Sequence, residues 1–343
     1  LVSVMRGPRS YTTQDVVEIN CHGGDVVTRS VMALVLAEGA RPAAPGEFTR
    51  RAFLGGRINL IQAEAVIDLI NAKTRKAARA GLQQLSHGVD KKVTQIHRVL
   101  LDGLAEIEAY IDFDDDLEET IPLAPLGKYF NEQILPPLEG LIESYNEGRI
   151  LKEGVRIVIA GRPNVGKSSL VNLLLNQDRV IVTAVPGTTR DIVEETIAID
   201  GIPVVITDTA GIHASVDPIE SLGIEKSEEA VAAADLVLFM VDGSMPVQSA
   251  DHLVYHSIKE RKHLIIQNKI DLCPQGPGPI DFGGARSDDL VTLSALTGEG
   301  LAELKARILA RIGVNSTPED GALFVNLRQK RLLDEARGHI EGA

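Results

Sequence analysis

Residues 155–174 read VRIVIAGRPNVGKSSLVNLL, which predicts a buried strand, a glycine-rich loop and the first turns of a helix. The loop has the spacing G-x-x-x-x-G-K-[ST], and its glycines let backbone N–H groups approach and surround a polyphosphate. Lys167 is expected to reach the β- and γ-phosphates, and Ser168 to ligate Mg²⁺ at the positive end of the helix. The predicted phosphate contacts are Asn164, Val165, Gly166, Lys167, Ser168 and Ser169. A chance glycine turn is the alternative, and the strand and helix on either side argue against it.

A second motif, Asn268-Lys269-Ile270-Asp271, follows the apolar run 264–266 and is expected to read the base. A carboxylate at Asp271 can accept hydrogen bonds from the N1–H and N2–H₂ groups of guanine, which adenine does not offer. A site built on such paired hydrogen bonds rejects a base that leaves its buried polar groups unpaired. The residues expected to supply a backbone contact to guanine O6 are Ser294, Ala295 and Leu296, after a strand-like segment at 290–293. The pattern therefore predicts a guanine site.

Two shorter motifs lie between the phosphate loop and the base-reading motif: Thr188-Thr189 and Asp208-Thr209-Ala210-Gly211. Thr189 is placed to close over Mg²⁺ and the γ-phosphate, and Asp208 to hold the Mg²⁺ shell through water. The further nucleotide contacts predicted here are Thr183, Thr188, Thr189, Asp208, Thr209, Ala210 and Gly211. Each motif alone would be weak, but all of them in this order predict a guanine-nucleotide domain.

The composition is that of a globular protein with two or three domains. The chain has 343 residues, of which 44% are hydrophobic and 24% charged, which exceeds the usual length of a single domain. Cys21 and Cys273 share no metal-ligand spacing and are expected to be reduced thiols of a cytoplasmic protein. No apolar run reaches the length of a membrane span. The net charge is −13, from 35 basic and 48 acidic residues. Because RNA-binding surfaces are usually basic, any RNA contact is expected to be local or supplied by a partner.

Four regions are predicted along the chain, at 1–57, 58–152, 153–313 and 314–343. The first combines a strand pattern at 16–20 with a helix pattern at 26–38, and the second is helical throughout. The third alternates strands and helices as a parallel P-loop sheet requires, and the last is again helical over 328–340. The predicted fold is an α/β P-loop domain with a mostly parallel sheet, inserted in an α-helical domain and preceded by part of an α+β domain.

Smaller patterns give local expectations. Apolar residues recur every three or four positions from Val89 to Ile107, which predicts one face of a long helix. Pro136-Pro137 is expected to break or kink the next helix, which then carries a second apolar stripe at 138–145. The acidic run 112–119 favours a solvated loop over a metal site, because no turn glycine spaces its carboxylates as in a calcium loop. Segment 197–206 predicts a hairpin around its Asp-Gly pair.

Three segments outside the nucleotide motifs resemble the tRNA modification GTPase family called MnmE, or TrmE. They are EINCHGG at 18–24, RPAAPGEFTRRAFL at 41–54 and QAEAVIDLI at 62–70. The resemblance covers nearly the whole chain and is more specific than the nucleotide motifs, which many GTPases share. It implies that 1–57 is part of a folate-binding-like domain, that 58–152 and 314–343 belong to two halves of one helical domain, and that 153–313 is the GTPase domain.

The resemblance also implies partners and a reaction. The family works as a homodimer with a FAD-containing partner called MnmG, or GidA, which supplies most of the tRNA contact. Together they install a carboxymethylaminomethyl or aminomethyl group on the wobble uridine, position 34, of certain tRNAs. The carbon comes from a 5-formyltetrahydrofolate-type folate; Glu18 matches a folate-contacting glutamate, and Arg57 stands where the family usually has a lysine. Without this resemblance Glu18 would be interpreted as an exposed strand carboxylate.

Two departures from the family bear on the expected activity. The family's strands before Leu1 and its C-terminal Cys-x-Gly-Lys motif have no counterpart in this sequence. The resemblance therefore implies a fragment with an incomplete folate site. Such a fragment is expected to bind and hydrolyse GTP without completing the tRNA reaction alone.

The hydrolysis machinery departs from that of Ras-like enzymes, which orient water with a glutamine after the D-x-x-G motif. Ile212 occupies that position here and cannot hydrogen-bond water. The resemblance implies Glu220 as its replacement, although a carboxylate there could also stabilise a helix N-terminus. It further implies K⁺ in place of an arginine finger, in a site that is completed when two GTPase domains dimerise. The implied potassium ligands are Asn164, Thr183, Val185 and Thr188.

Two other classes of protein share the nucleotide motifs. A ribosome-assembly GTPase that acts as an RNA-binding checkpoint would need an appended RNA-binding module, such as a KH domain with its GXXG loop. A membrane-associated transporter GTPase would need membrane spans. Neither feature is visible in the sequence. This favours the interpretation as a tRNA modification GTPase.

Overall fold

The computed structural model describes residues 1–86, 88–112, 123–178, 194–208, 229–282, 289–313 and 323–342. The chain divides into two compact units. One contains Leu1–Asn71 and Gly81–Pro137, and the other contains Ala72–Ala80 and Leu138–Ala343. The acidic run from residue 113 onward lies outside the described residues, so its expected loop stays a prediction.

The first unit begins with a two-stranded antiparallel sheet and continues as helices. Its elements are β1 (Val2–Met5), β2 (Val16–Ile19), α1 (Asp25–Ala37), α2 (Glu47–Leu54), α3 (Leu60–Ile70), part of α4 (Arg75–Leu85), α5 (Gly88–Asp112) and α6 (Leu123–Gln133). The predicted strand at 16–20 and helix at 26–38 are confirmed as β2 and α1. Helix α3 starts at a capping box, in which Asn59 and Gln62 exchange side-chain hydrogen bonds with each other's backbone N–H at 2.9 and 3.0 Å.

A carboxylate at the start of α2 organises the segment 41–54. Glu47 accepts two hydrogen bonds from the Arg41 guanidinium at 2.6 and 2.9 Å, one from the Ala44 N–H at 2.9 Å and two from the Arg51 guanidinium at 2.6 and 3.2 Å. The Arg41 bond, the Ala44 amide and Arg51 together hold the pKa of Glu47 far below its usual value, against a smaller opposing effect of burial. The Glu47 side chain therefore connects the segment that begins at Arg41-Pro42 to helix α2.

Glu47→Gln is expected to reduce the acid sensitivity of the first unit. Because the pKa of Glu47 is lower in the folded state than its ordinary 4.5, its stabilising effect is complete above pH 4.5 and is lost as the pH falls through the folded pKa. Unfolding curves between pH 7 and pH 3 should show a shallower loss of stability in Glu47→Gln than in the wild type. Parallel curves would contradict the assignment, and Glu38→Gln, an exposed carboxylate, serves as the control.

The predicted apolar stripe of α5 is only partly buried. Val89 and Ile96 lie in the core, whereas Val93 and Leu104 are 37% and 49% exposed. A Cβ at Gly103 would lie 2.5 Å from the Phe130 ring, so the absence of a side chain there lets α5 and α6 pack closely.

The proline pair separates two helices. Helix α6 ends at Gln133 and α7 spans Leu135–Glu153. Pro136 and Pro137 therefore lie in the first turn of α7, where a missing N–H leaves no helical hydrogen bond unmade. The expected break is thus a helix start rather than a kink. The apolar stripe that follows is buried at Leu138, Leu141 and Ile142, as predicted.

The second unit is built on a six-stranded sheet. Its strands are β3 (Val155–Ala160), β4 (Glu194–Ile199), β5 (Ile202–Asp208), β6 (Leu236–Asp242), β7 (His263–Asn268) and β8 (Leu290–Thr292). They are ordered β4-β5-β3-β6-β7-β8, and only β4 runs antiparallel to its neighbour. This confirms the predicted mostly parallel α/β domain. The predicted hairpin at Asp200-Gly201 is confirmed as well, with φ of 50° and 78° at the two turn residues.

Helices cover both faces of the sheet, and every residue of β6 is buried. Besides α7, the α-helices given for this unit are α8 (Lys167–Asp178), α9 (Ser249–Ile258), α10 (Leu301–Ile312) and α11 (Leu327–Glu341). Helix α11 confirms the predicted return to helix at 328–340. A Cβ at Gly148 of α7 would lie 2.5 Å from Phe324, so the chain after the nucleotide domain packs back onto the helix that precedes it.

Candidate nucleotide-binding site

The predicted phosphate loop lies between β3 and α8. Strand β3 ends at Ala160 and α8 begins at Lys167, which leaves 161–166 as a loop at the carboxyl end of a central parallel strand. The Lys167 ammonium donates hydrogen bonds to the carbonyl oxygens of Gly161 and Arg162 at 2.7 and 2.9 Å. The lysine that is expected to bind phosphate is thus held across its own loop.

Two glycines let this loop lie against the ends of the neighbouring strands. Gly161 has φ 149°, and a Cβ there would lie 2.4 Å from the carbonyl oxygen of Met240 on β6. Gly166 has φ 105°, and its Cβ would lie 2.2 Å from Asn268 Nδ2 at the end of β7. Any side chain at either position would push the loop away from the sheet.

Asn268 joins the phosphate loop to the base-reading segments. Its Nδ2 donates to the carbonyl oxygen of Val165 at 2.7 Å, and its Oδ1 accepts the N–H of Ala295 at 2.9 Å. The side chain is 2% exposed, so both bonds lie in a buried setting where an unmade bond is costly. Three motifs that are far apart in sequence are therefore one hydrogen-bonded unit.

The carboxylate of Asp271 is oriented by a buried hydroxyl. Ser294 Oγ donates to Asp271 Oδ1 at 2.6 Å and accepts the N–H of Thr297 at 3.2 Å. Ser294 is fully buried, whereas Asp271 is exposed. The structure thus brings together the predicted residues Asp271 and Ser294. Leu296 is 83% exposed, and the contact predicted for it is made by its backbone.

Asp242, which the sequence analysis did not single out, contacts a residue of the base-reading motif. Lys269 donates to its Oδ2 at 2.6 Å, and the N–H and Oγ of Ser244 donate to its Oδ1 at 3.0 and 2.6 Å. Burial disfavours the charged carboxylate, but the Lys269 and Ser244 bonds outweigh it and hold the pKa of Asp242 below its ordinary value. The signal was available, since Asp242 ends a wholly apolar strand that pairs with the strand of Asn268.

The predicted metal ligands are only partly described. Ser168 and Asn164 are exposed at the loop, and Asn164 has φ 65°. Asp208 ends β5 and pairs in register with Ile159, beside the strand that enters the loop. The predicted residues outside the described part of the chain are Thr183, Val185, Thr188, Thr189, Thr209, Ala210, Gly211 and Glu220. A serine hydroxyl and an aspartate carboxylate are oxygen donors of the kind that Mg²⁺ prefers.

The two predicted folate contacts lie in the first unit. Glu18 is exposed on β2, opposite Ser3 of β1. Arg57 is exposed just after α2, and its N–H donates to the Ala52 carbonyl at 3.0 Å. Their roles stay predictions.

Other expectations concern cysteines, metals and membranes. Cys21 and Cys273 are free thiols. Among the described residues, no group of three or more His, Cys, Asp or Glu side chains is placed to hold a metal ion. Within the same ranges, no helix combines the length and apolar character needed to cross a membrane.

Comparison with known proteins gives matches over the whole chain. The family model for the MnmE helical domain matches residues 60–343, and that for the GTP-binding protein TrmE N-terminus matches 1–57. The tRNA modification GTPase MnmE of Koribacter versatilis is 44% identical over 100% of this chain and 74% of its own length. The protein of the same name from Moorella thermoacetica is 43% identical over 100% of this chain and 75% of its own.

Two solved structures each match 46% of this chain. The G domain of the T. maritima FeoB iron transporter is 27% identical, covers 46% of this chain and 98% of that chain, and has a TM-score of 0.34. Era from Aquifex aeolicus is 30% identical, covers 46% of this chain and 56% of that chain, and has a TM-score of 0.36.

Proposed function

The chain belongs to the MnmE family of tRNA modification GTPases, and from this premise we propose that it binds GTP at the carboxyl ends of β3, β6 and β7 and hydrolyses it to GDP and phosphate in tRNA modification. The observation that carries the proposal is Asn268, whose buried side chain bonds to the phosphate loop at Val165 and to the base-reading segment at Ala295. A phosphate loop and a guanine reader held at a fixed separation form a site for a guanine nucleotide rather than for phosphate alone.

The base contacts can be assigned from the groups that already have a hydrogen-bond partner within the protein. The N–H of Ala295 donates to Asn268, so we assign the contact with guanine O6 chiefly to the N–H of the exposed Leu296. Asp271, oriented by Ser294, accepts from the N1–H and N2–H₂ groups of guanine. The Lys269 ammonium donates a hydrogen bond to Asp242 Oδ2 at 2.6 Å and places a positive charge close to these base contacts.

The phosphate contacts come from the loop and α8. The N–H groups of 164–169 face the polyphosphate, and Lys167 exchanges its bonds to the two loop carbonyls for phosphate oxygens. Ser168 and Thr189 would hold Mg²⁺ directly and Asp208 through water, and the bound ion would neutralise charge on the phosphates. Thr183, Thr188, Thr209, Ala210 and Gly211 are proposed to complete the nucleotide contacts.

Hydrolysis needs a group that orients water and a positive charge near the bond that breaks. We assign the water to Glu220, since Ile212 has no hydrogen-bonding group. Asn164, with Thr183, Val185 and Thr188, would hold K⁺, which would supply the positive charge of an arginine finger. The exposed side chain of Asn164, on a loop residue with φ 65°, fits a ligand that two dimerising GTPase domains enclose.

The wider role extends this proposal to partners. The chain would act in the cytoplasm as a homodimer with FAD-containing MnmG, in the modification of the wobble uridine of tRNA. We propose the domain division 1–57, 58–152, 153–313 and 314–343, with Glu18 and Arg57 contributing to a 5-formyltetrahydrofolate-type site. Glu18 and Arg57 are exposed groups of opposite charge, which suits a ligand with both hydrogen-bond donors and carboxylates.

Single-turnover GTP hydrolysis tests this function. The wild type is expected to hydrolyse GTP faster in KCl than in NaCl at equal ionic strength, because the smaller Na⁺ should fit the proposed K⁺ site poorly. Simple screening would treat the two salts alike and so would give no difference in rate. Asn164→Ala should reduce that difference, since it removes an oxygen ligand. Glu220→Ala should bind GTP normally and turn over about 10²–10⁴-fold more slowly.

The three results separate the parts of the proposal. Equal rates in KCl and NaCl would remove the potassium role, and full activity of Glu220→Ala would remove the carboxylate role. A wild type that binds no GTP would overturn the function itself.

A further inference from the structure

The side chain of Arg162 leaves the phosphate loop and reaches the first turn of α9. Its Nη1 donates to Gln248 Oε1 at 3.0 Å, and its Nε lies 3.1 Å from Asp251 Oδ1. The Arg162 side chain is 17% exposed and that of Asp251 is 1% exposed. The loop residue is therefore tied to a buried carboxylate on a different element.

Asp251 divides its two oxygens between the helix and the loop. Its Oδ2 accepts the N–H of Gln248 at 3.0 Å and caps the start of α9. Its Oδ1 faces Arg162 and has no hydrogen-bond partner among the described residues. The charge of Arg162 is what compensates the burial of this oxygen, and a buried carboxylate without that charge is costly.

The backbone of the same arginine holds the phosphate-binding lysine. The carbonyl oxygen of Arg162 accepts a hydrogen bond from Lys167 Nζ at 2.9 Å. One residue thus contacts α9 through its side chain and Lys167 through its main chain. A displacement of Arg162 would change the loop conformation from which Lys167 reaches phosphate.

We propose that Arg162 is a positioning residue for nucleotide binding: its contacts with Asp251 and Gln248 fix the loop so that Lys167 binds the phosphates beyond the first. The proposal rests on the proposed GTP site and adds to it a support on α9. Because Arg162 acts through Lys167, its loss is expected to weaken binding of GTP and GDP but not of GMP, which lacks those phosphates.

The test compares Arg162→Met, Arg162→Lys, Asp251→Asn and the double variant Arg162→Met/Asp251→Asn. Arg162→Met should bind GTP and GDP about tenfold more weakly, a difference of about 1.4 kcal/mol, with GMP unchanged in competition against labelled GDP. Arg162→Lys should lie between it and the wild type, because a lysine keeps the charge but not both contacts. Asp251→Asn should weaken GTP and GDP as well, since the loop loses its charged anchor.

The double variant separates positioning from stability. It removes both charges and keeps an oxygen that can accept the Gln248 N–H, so its melting temperature should exceed that of Arg162→Met while its affinity for GTP stays low. Recovery of affinity in the double variant would show that Arg162 only balances a buried charge and would overturn the proposal. An equal loss for GMP, or unchanged GTP binding in Arg162→Met, would overturn it as well.

A matched control is available at the other end of the sheet. Arg149 on α7 pairs with Asp235 at 3.1 Å, just before β6 begins. Arg149→Met should lower the melting temperature without changing the affinity for any nucleotide. If the wild type itself binds no GTP, the proposed function fails. If the wild type binds GTP and the Arg162 variants bind it equally well, the positioning role fails alone.

Discussion

Gly166→Ala is expected to weaken the binding of GTP and GDP by about 10²–10³-fold. The backbone of Gly166 has φ 105°, and a Cβ there would lie 2.2 Å from Asn268 Nδ2. The strain of that backbone region costs about 1–3 kcal/mol for a residue with a side chain. Displacing Asn268 also breaks its bond to Val165 and leaves a buried amide unpaired, which costs about 1–3 kcal/mol more. Fluorescent GDP titration measures the effect.

Gly276→Ala separates the two causes. Gly276 has φ 83°, but a Cβ there would meet nothing within 4 Å. This variant carries backbone strain without a clash, so it should lower the melting temperature and leave nucleotide affinity unchanged. Normal GTP binding by Gly166→Ala would mean that Asn268 does not hold the loop in the way proposed.

Asp271→Asn is expected to change the preferred base from guanine to xanthine. Ser294 Oγ donates to Asp271 Oδ1, so an amide at this position would turn its oxygen towards Ser294 and its NH₂ towards the base. An NH₂ group opposes the N–H donors of guanine and matches the carbonyl oxygen that xanthine carries in place of the amino group. Losing two bonds to a charged acceptor, at about 1.5–3 kcal/mol each, predicts GTP affinity lower by 10² or more.

Competition of GTP, XTP and ATP against labelled GDP, or against labelled XDP for the variant, measures this exchange. Ser294→Ala is the matched control, because it frees the carboxylate without replacing it. It should weaken GTP binding and gain no affinity for XTP. A variant Asp271→Asn that still prefers GTP would remove Asp271 from the base site.

Local patterns were sufficient to predict the elements that carry the site. The apolar run of β3 followed by the glycine loop predicted a strand, a loop and a helix, because buried strands and loop glycines are recognisable over a few neighbouring residues. The hairpin at Asp200-Gly201 followed from turn chemistry in the same way. The residue types at 164–169 and 268–271 also predicted the ligand class, since their chemistry matches phosphates and guanine whatever the surrounding fold.

The tertiary structure decided what holds these segments together. Asn268 bonds to Val165, 103 positions away, and Arg162 bonds to Gln248, 86 positions away. Both contacts exist because β3, β6 and β7 are adjacent in the sheet, and no short window of sequence specifies that order. The position of Asp242 at the end of an apolar strand is visible in the sequence, but its role is not, because its partner Lys269 follows the next strand of the sheet and their contact depends on strand pairing.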